Sequence, residues 1–209
     1  LVAFYPFNGT CNDESDNALS TVLVRTPVLA ADHNGTANSA YLLDGNNQGF
    51  KVLNAGKLPT GNPDLTITTW FLGKNGGIFR TILSWGADTI AIKNKYEIAF
   101  YRTSISGIPY LGITNGVDSV VAECPTSESG NWFFAAVKIS SGNVTFYMNG
   151  TPTTSKKIAF DIKSGGTFSI GTDISEGDPS GSNNFGGNID DVTIYNRALS
   201  DGEITYIKT

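Results

Sequence analysis

The chain has 209 residues and a formal net charge of -5, with 14 Lys and Arg set against 19 Asp and Glu. It carries no basic block, which argues against nucleic acid and anionic membrane surfaces as partners, and no apolar run long enough to insert in a membrane. Its 12 Phe, 8 Tyr and 3 Trp are enough to fill a core without disulfide staples, and no targeting leader opens the sequence, so it reads as a mature chain or an excised module.

Period-two patterns and turn signals follow one another along the chain, and helical periodicity is nearly absent. "LVAFYPF" reads as a strand ending at the Asn8-Gly9 turn, and "SAYLLDG" as one ending at Asp44-Gly45. "DLTITTWFL" sets Leu65, Ile67, Thr69 and Phe71 against Thr66, Thr68, Trp70 and Leu72. "RTILSW", "YEIAFYR", "YLGIT" and "SVVAE" continue the series. "NWFFAAVKIS" places Phe133, Ala135, Val137 and Ile139 on one face, and "NVTFYMNGTPT" is a hairpin turning at Asn149-Gly150. "GTFSIG" and "GNIDDVTIY" bring the total to roughly a dozen short strands at sandwich-like spacing. One helix is expected, over "SDGEITYI", with Ser200 as cap and Glu203 completing a capping box. No linker or repeat divides the chain, so residues 1–209 are expected to form a single all-β domain.

Cys11 and Cys124 are too few for a disulfide scaffold or a zinc site; they either pair or serve as small buried apolar residues. Trp70 and Trp132 sit mid-strand among apolar neighbours and read as core. The single histidine, His33, lies in the polar turn "ADHNGT" and reads as a solvated group. Strict alternation puts Asp190 on the face of Val192 and Ile194, and Asp191 with Thr193 and Tyr195. Asp190 is then a charge in apolar company, which needs compensation.

The segments "LVAFYPFNGTCNDESDN", "NSAYLLDG", "LTITTWF", "GNWFFAAVKI", "VTFYMNG" and "FGGNIDDVTIYNRALSDGEI", in this order, resemble the laminin-G-like, concanavalin-A-like jelly-roll superfamily, in the branch common as modules of bacterial secreted and surface proteins. The resemblance implies two antiparallel sheets in a jelly roll with adjacent termini, a secreted or cell-surface location, and frequent calcium binding. It also implies recognition of carbohydrate or protein. In the family's glucanases an Asp near the last strand binds a structural calcium with help from the N-terminal strand. Asp190 matches that Asp, and the oxygen-rich N-terminal segment supplies Asn8, Asn12, Asp13 and Asp16 as further calcium ligands. Asx turns for the N-terminal acids and backbone hydrogen bonds for Asp190 are the alternative. "NNQGF" replaces the more acidic segment that often follows the Asp-Gly turn.

The paired carboxylates of the family's glucanases and the Arg, Glu, His and Tyr set of its lyases are both missing, and no nucleophile elbow is present. The expected function is a non-catalytic module, part of a larger secreted protein, that binds a glycan or polysaccharide. Trp85 at a strand end is the expected platform for a sugar ring, with Asp88, Tyr101 and Arg102 as polar contacts. An adhesive or spacer domain contacting a surface protein is the alternative, and a polysaccharide-active enzyme comes third.

Overall fold

The computed structural model describes residues 1–53, 55–73, 80–86, 98–105, 108–124, 130–165, 167–172 and 183–209. From the N-terminus run β1 (Ala3–Tyr5), β2 (Thr21–Val24), β3 (Val28–Ala30), β4 (Ala40–Asp44) and β5 (Gly49–Val52). Then come β6 (Leu65–Gly73), β7 (Arg80–Gly86), β8 (Ile98–Ile105), β9 (Ile108–Thr114) and β10 (Ser119–Glu123). The chain closes with β11 (Phe133–Ser140), β12 (Asn143–Met148), β13 (Thr151–Lys157), β14 (Thr167–Ile170), β15 (Gly186–Tyr195) and helix α1 (Asp201–Ile207).

The strands form two antiparallel sheets packed face to face, as the sequence predicts. The first runs β13-β12-β11-β6-β15-β4-β3, with β1 added to β15; the second runs β10-β9-β8-β7-β14-β5-β2. Alternation fills the space between them. Leu65, Ile67 and Phe71 of β6 and Phe133, Ala135, Val137 and Ile139 of β11 meet Phe50, Phe100, Leu111, Ile113 and Phe168 in one buried cluster. Truncating one such large side chain to Ala costs about 2–5 kcal/mol. The hairpin after β12 turns on Asn149 and Gly150, at φ 50° and 84°, the positive angles that Asn-Gly accepts most readily. Cys11 and Cys124 are not bridged to each other; Cys124 is in the core and Cys11 packs against the core.

Helix α1 is capped as expected. Ser200 accepts from the Glu203 N–H, and the Glu203 carboxylate accepts in return from the Ser200 N–H. Its Ile204 packs with Phe134, Ala136, Tyr147 and Leu199 in a second cluster on the outer face of the first sheet. The Tyr147 hydroxyl and Lys138 both donate to Asp201, at 2.6 and 2.7 Å, and fasten the helix to that face.

Strand β15 is flanked by β6 on one edge and by two successive partners on the other. Gly186–Ile189 pair with β4, and Val192, Thr193 and Ile194 pair with Tyr5, Phe4 and Ala3 of β1. The first and last strands thus meet as the sequence predicts. Where the partner changes, β15 holds a bulge: Asp190 faces Trp70 and Thr193 faces Thr68, three steps against two. Asp191 takes the extra position at φ 47°, a left-handed conformation that Asp tolerates better than most residues. The extra residue shifts the phase by one. Ile189, Val192 and Ile194 all enter the core, and Asp190 leaves it. Asp190 therefore does not share the apolar face of Val192 and Ile194, contrary to the alternation expected from sequence.

Candidate functional site

The bulge brings both aspartates to the outer face of the first sheet, beside the loop between β3 and β4. That loop is shaped by Asp32, whose Oδ1 accepts from the N–H groups of Asn34 and Thr36 at 2.9 and 2.7 Å. Burial pushes the Asp32 carboxyl up, but the two N–H groups outweigh it and leave it below its ordinary value. The turn projects His33 over β15. Its Nδ1 lies 3.2 Å from Asp190 Oδ2, and its Nε2 lies 3.0 Å from the Asn34 amide nitrogen. With the Asn34 amide donating to Nε2, Nδ1 carries the proton that Asp190 accepts.

The imidazole also stacks on Trp70, with ring centres 4.2 Å apart and planes within 6°, and meets the edge of Trp132 at 6.3 Å. Trp70 and Trp132 are only half-buried on the outer face. Both depart from the expectation of core placement. His33 is likewise half-buried and engaged rather than free in solvent.

Asp190 is 2% exposed and accepts the Asp191 N–H at 2.9 Å. Desolvation pushes its carboxyl up to about 7, against the N–H groups of Asp191 and His33, which pull it down. Desolvation and the neighbouring Asp190 charge raise Asp191 to about 6. Among the described residues, His33, Asp190 and Asp191 are the one group of His, Cys, Asp and Glu side chains whose ligand atoms all lie within 4.8 Å of one another.

Next to this cluster a hollow of about 240 Å³ opens on the sheet. Phe4, Trp70, Phe134 and Tyr195 line it with rings, Thr68 and Thr193 with hydroxyl-bearing side chains, and Asp191 with a carboxylate. Thr68 and Thr193 face each other across β6 and β15 with their hydroxyls 2.5 Å apart.

The expected calcium ligands do not gather here. Asp13 is 8% exposed and fully used: it accepts from the Phe4, Ser15 and Leu19 N–H groups and the Ser15 hydroxyl, at 2.8–2.9 Å. It ties the N-terminal loop to β1 and is not part of the Asp190 cluster. Asn8, Asn12 and Asp16 are exposed, and the Asn12 N–H turns back to Thr10. Calcium takes six to eight oxygen ligands. The side chains of the Asp190 cluster offer two carboxylates and an imidazole nitrogen, and none of the N-terminal carboxylates joins them.

The expected sugar platform is also placed elsewhere. Trp85 is 4% exposed, its ring edge-on to Phe168 in the core and its indole N–H directed at the Pro59 carbonyl. Tyr101 is buried with its ring over Gly112, where a Cβ would come within 2.3 Å of it. Arg102 is buried against Gly73, and Asp88 lies outside the described residues. These positions form no open ligand surface among the described residues. The residues that sequence reasoning passed over are His33, Trp70, Thr68 and Thr193. The signal available was the doubled Asp, because an extra polar residue inside an alternating strand marks a bulge.

Among the described residues, no helix is long and apolar enough to cross a membrane. No curated protein matches the sequence. Solved structures do. Domain 4 of AbnA, a GH43 extracellular arabinanase from Geobacillus stearothermophilus solved with arabinotriose, is 22% identical with a TM-score of 0.71, over 100% of this chain and 98% of that one. The native heptameric SAP-like pentraxin from Limulus polyphemus is 21% identical with a TM-score of 0.59, over 72% and 71%. The ligand binding domain of botulinum neurotoxin serotype D, solved with N-acetylneuraminic acid, is 17% identical with a TM-score of 0.70, over 99% of this chain and 50% of that one. At such identities the likeness is one of fold. A family model described as the concanavalin A-like lectin/glucanases superfamily matches residues 44–205, which take in most of both sheets and the start of α1, and the chain belongs to that superfamily.

Proposed function

We propose that this chain is a non-catalytic carbohydrate-binding domain of an extracellular or surface protein, with the sugar held in the hollow beside Trp70. The observation that carries this reading is the half-buried Trp70 in a hollow that also offers the Asp191 carboxylate. A sugar ring presents an apolar face to an indole and hydroxyls to polar neighbours, and this lining supplies both. The arabinotriose and N-acetylneuraminic acid in the solved relatives agree with it.

Hydrolysis of a glycosidic bond needs two carboxyl groups flanking it. Of the doubled Asp only Asp191 lines the hollow, while Asp190 is buried against His33. The arrangement can grip a sugar but does not flank a bond. This reading places the sugar without a calcium ion.

The test is an oligosaccharide array followed by calorimetry on any hit. Trp70→Ala should lose about tenfold or more in affinity, given about 1.5 kcal/mol for a stacked ring. Asp191→Asn, at an outward bulge position, keeps the fold intact and should lose severalfold. An array without hits, joined to capture of one defined surface protein, would replace this reading with the adhesive one. That alternative has its own feature in the exposed Val22, Leu23 and Leu53 of the β2–β5 edge.

A further inference from the structure

Adjacent residues of a regular strand point to opposite faces, so two neighbouring carboxylates ordinarily cannot act on one ion. The bulge in β15 removes that obstacle. With Asp191 at φ 47°, its carboxylate, the Asp190 carboxylate and the His33 imidazole converge, with ligand atoms within 4.8 Å of one another. Asp190 Oδ1 accepts the Asp191 N–H, which leaves Oδ2 turned to His33 Nδ1. Among the described residues nothing donates a hydrogen bond to the Asp191 carboxylate, and no Lys or Arg pairs with either Asp. The Asp32 charge adds to their repulsion.

His33 Nδ1 and Asp190 Oδ2 are 3.2 Å apart, longer than the roughly 2.7–2.9 Å of a charge-assisted hydrogen bond. Two atoms bound to one tetrahedral zinc at about 2.0–2.2 Å lie about 3.3 Å apart. The pair therefore stands at the separation such an ion sets. Once Nδ1 binds the ion, the ring hydrogen moves to Nε2, which then needs an acceptor. Asn34 supplies it: its amide nitrogen lies 3.0 Å from Nε2, and turning the amide over puts Oδ1 there. The metal-bound ring also gains positive charge, which the Trp70 indole stacked on it at 4.2 Å favours.

We propose that His33, Asp190 and Asp191 bind one divalent transition-metal ion of the zinc class, with Asn34 orienting the imidazole and water from the hollow completing the shell. An imidazole joined to carboxylates suits zinc and its first-row neighbours, whereas magnesium and calcium favour all-oxygen shells. The ion ties the loop between β3 and β4 to β15. This goes beyond the carbohydrate reading and does not depend on it.

The experiment titrates the whole, metal-stripped chain with Zn2+ by calorimetry, with Mg2+ and Ca2+ as controls. One Zn2+ per chain should bind at micromolar affinity or tighter, and millimolar Mg2+ or Ca2+ should not displace it. His33→Ala and Asp191→Asn should each weaken binding about tenfold or more, and Asn34→Ala about tenfold, while Asp16→Ala in the N-terminal loop changes nothing. Asn34 is exposed and Asp191 only half-buried, so loss of fold does not confound those two variants. Zn2+ should also raise the melting temperature of the wild type, and Asp191→Asn should shrink that rise. Absence of saturable Zn2+ binding overturns the proposal. So does binding that His33→Ala, Asp191→Asn and Asn34→Ala all leave unchanged, which marks an adventitious ion only, and so does displacement by an equal concentration of Ca2+.

Discussion

Two acidic segments of this chain look equally suited to bind an ion: "NDESDN" near the N-terminus and the Asp190-Asp191 pair near the C-terminus. Their surroundings separate them. Asp13 takes four protein donors onto its two oxygens and closes a loop around β1. Asp190 has three donors, the N–H groups of Asp191 and His33 and the His33 ring Nδ1, and Asp191 turns outward to line a hollow. A carboxylate saturated by backbone N–H groups is a structural member; one buried with fewer donors, next to an open surface, is available for chemistry or recognition.

The sharpest way to break this comparison is to remove Asp13. Asp13→Ala strands the Phe4, Ser15 and Leu19 N–H groups, and at about 1–3 kcal/mol for each buried orphan the total loss should be about 4 kcal/mol in a urea titration. The loss should be the same with and without a calcium chelator, after verified metal removal. A chelator-dependent loss would return the N-terminal loop to the role of a metal site.

The next effect is one of pH. Asp190 and Asp191 are raised to about 7 and about 6, so the folded chain holds protons that the unfolded chain releases. Their contribution is fully present below the ordinary carboxylate range, near pH 4, and is lost as pH rises through about 6 and 7. Asp190→Asn keeps an acceptor for the Asp191 N–H and removes the buried charge. It should flatten the fall in stability between pH 5 and 8, by on the order of 2 kcal/mol. Parallel wild-type and variant stability curves across that range would show that the pair is ordinarily ionised.

Smallest is the cap of helix α1. Ser200→Ala removes the cap and one support of Glu203, and should cost about 1 kcal/mol of stability by thermal melt. It should leave the Asp13 and Asp190 responses unchanged, since it acts at the other end of the same sheet face.

Much of the fold could be read from the residues. The long alternating strands β6, β11 and β12 and the capping box of α1 appear where their patterns predict. Strands β2, β3 and β5 escaped notice because three or four residues carry too little periodicity, and β2 and β3 expose Val22, Leu23 and Val28. The site was less legible, for a definite reason. Bulges in both sheets break the period-two rule: Asp191 shifts β15, and an extra residue between Thr81 and Leu83 shifts β7, so that Ile82, Leu83 and Trp85 all turn to the core. Trp85 was thereby lost as a platform. Trp70 was available on the right face by its own alternation, but an aromatic in a strand reads as core until a helix and a loop are seen to cover only part of that face.

The exchange of partners along β15 also bears on how quickly the protein assembles and how slowly it comes apart. Strand β1 cannot pair until β15 is in place, so Ala3 must wait for Ile194, nearly the whole length of the chain away. Contacts of such long sequence separation put a β-sandwich among the slow folders and tend to form late. Phe4 of β1 and Thr193 of β15 line the same hollow. An occupant there bridges the joint that closes last, and interactions absent from the folding transition state act chiefly on the unfolding rate. Ligand should therefore lengthen the lifetime of the native state while leaving the speed of folding almost untouched.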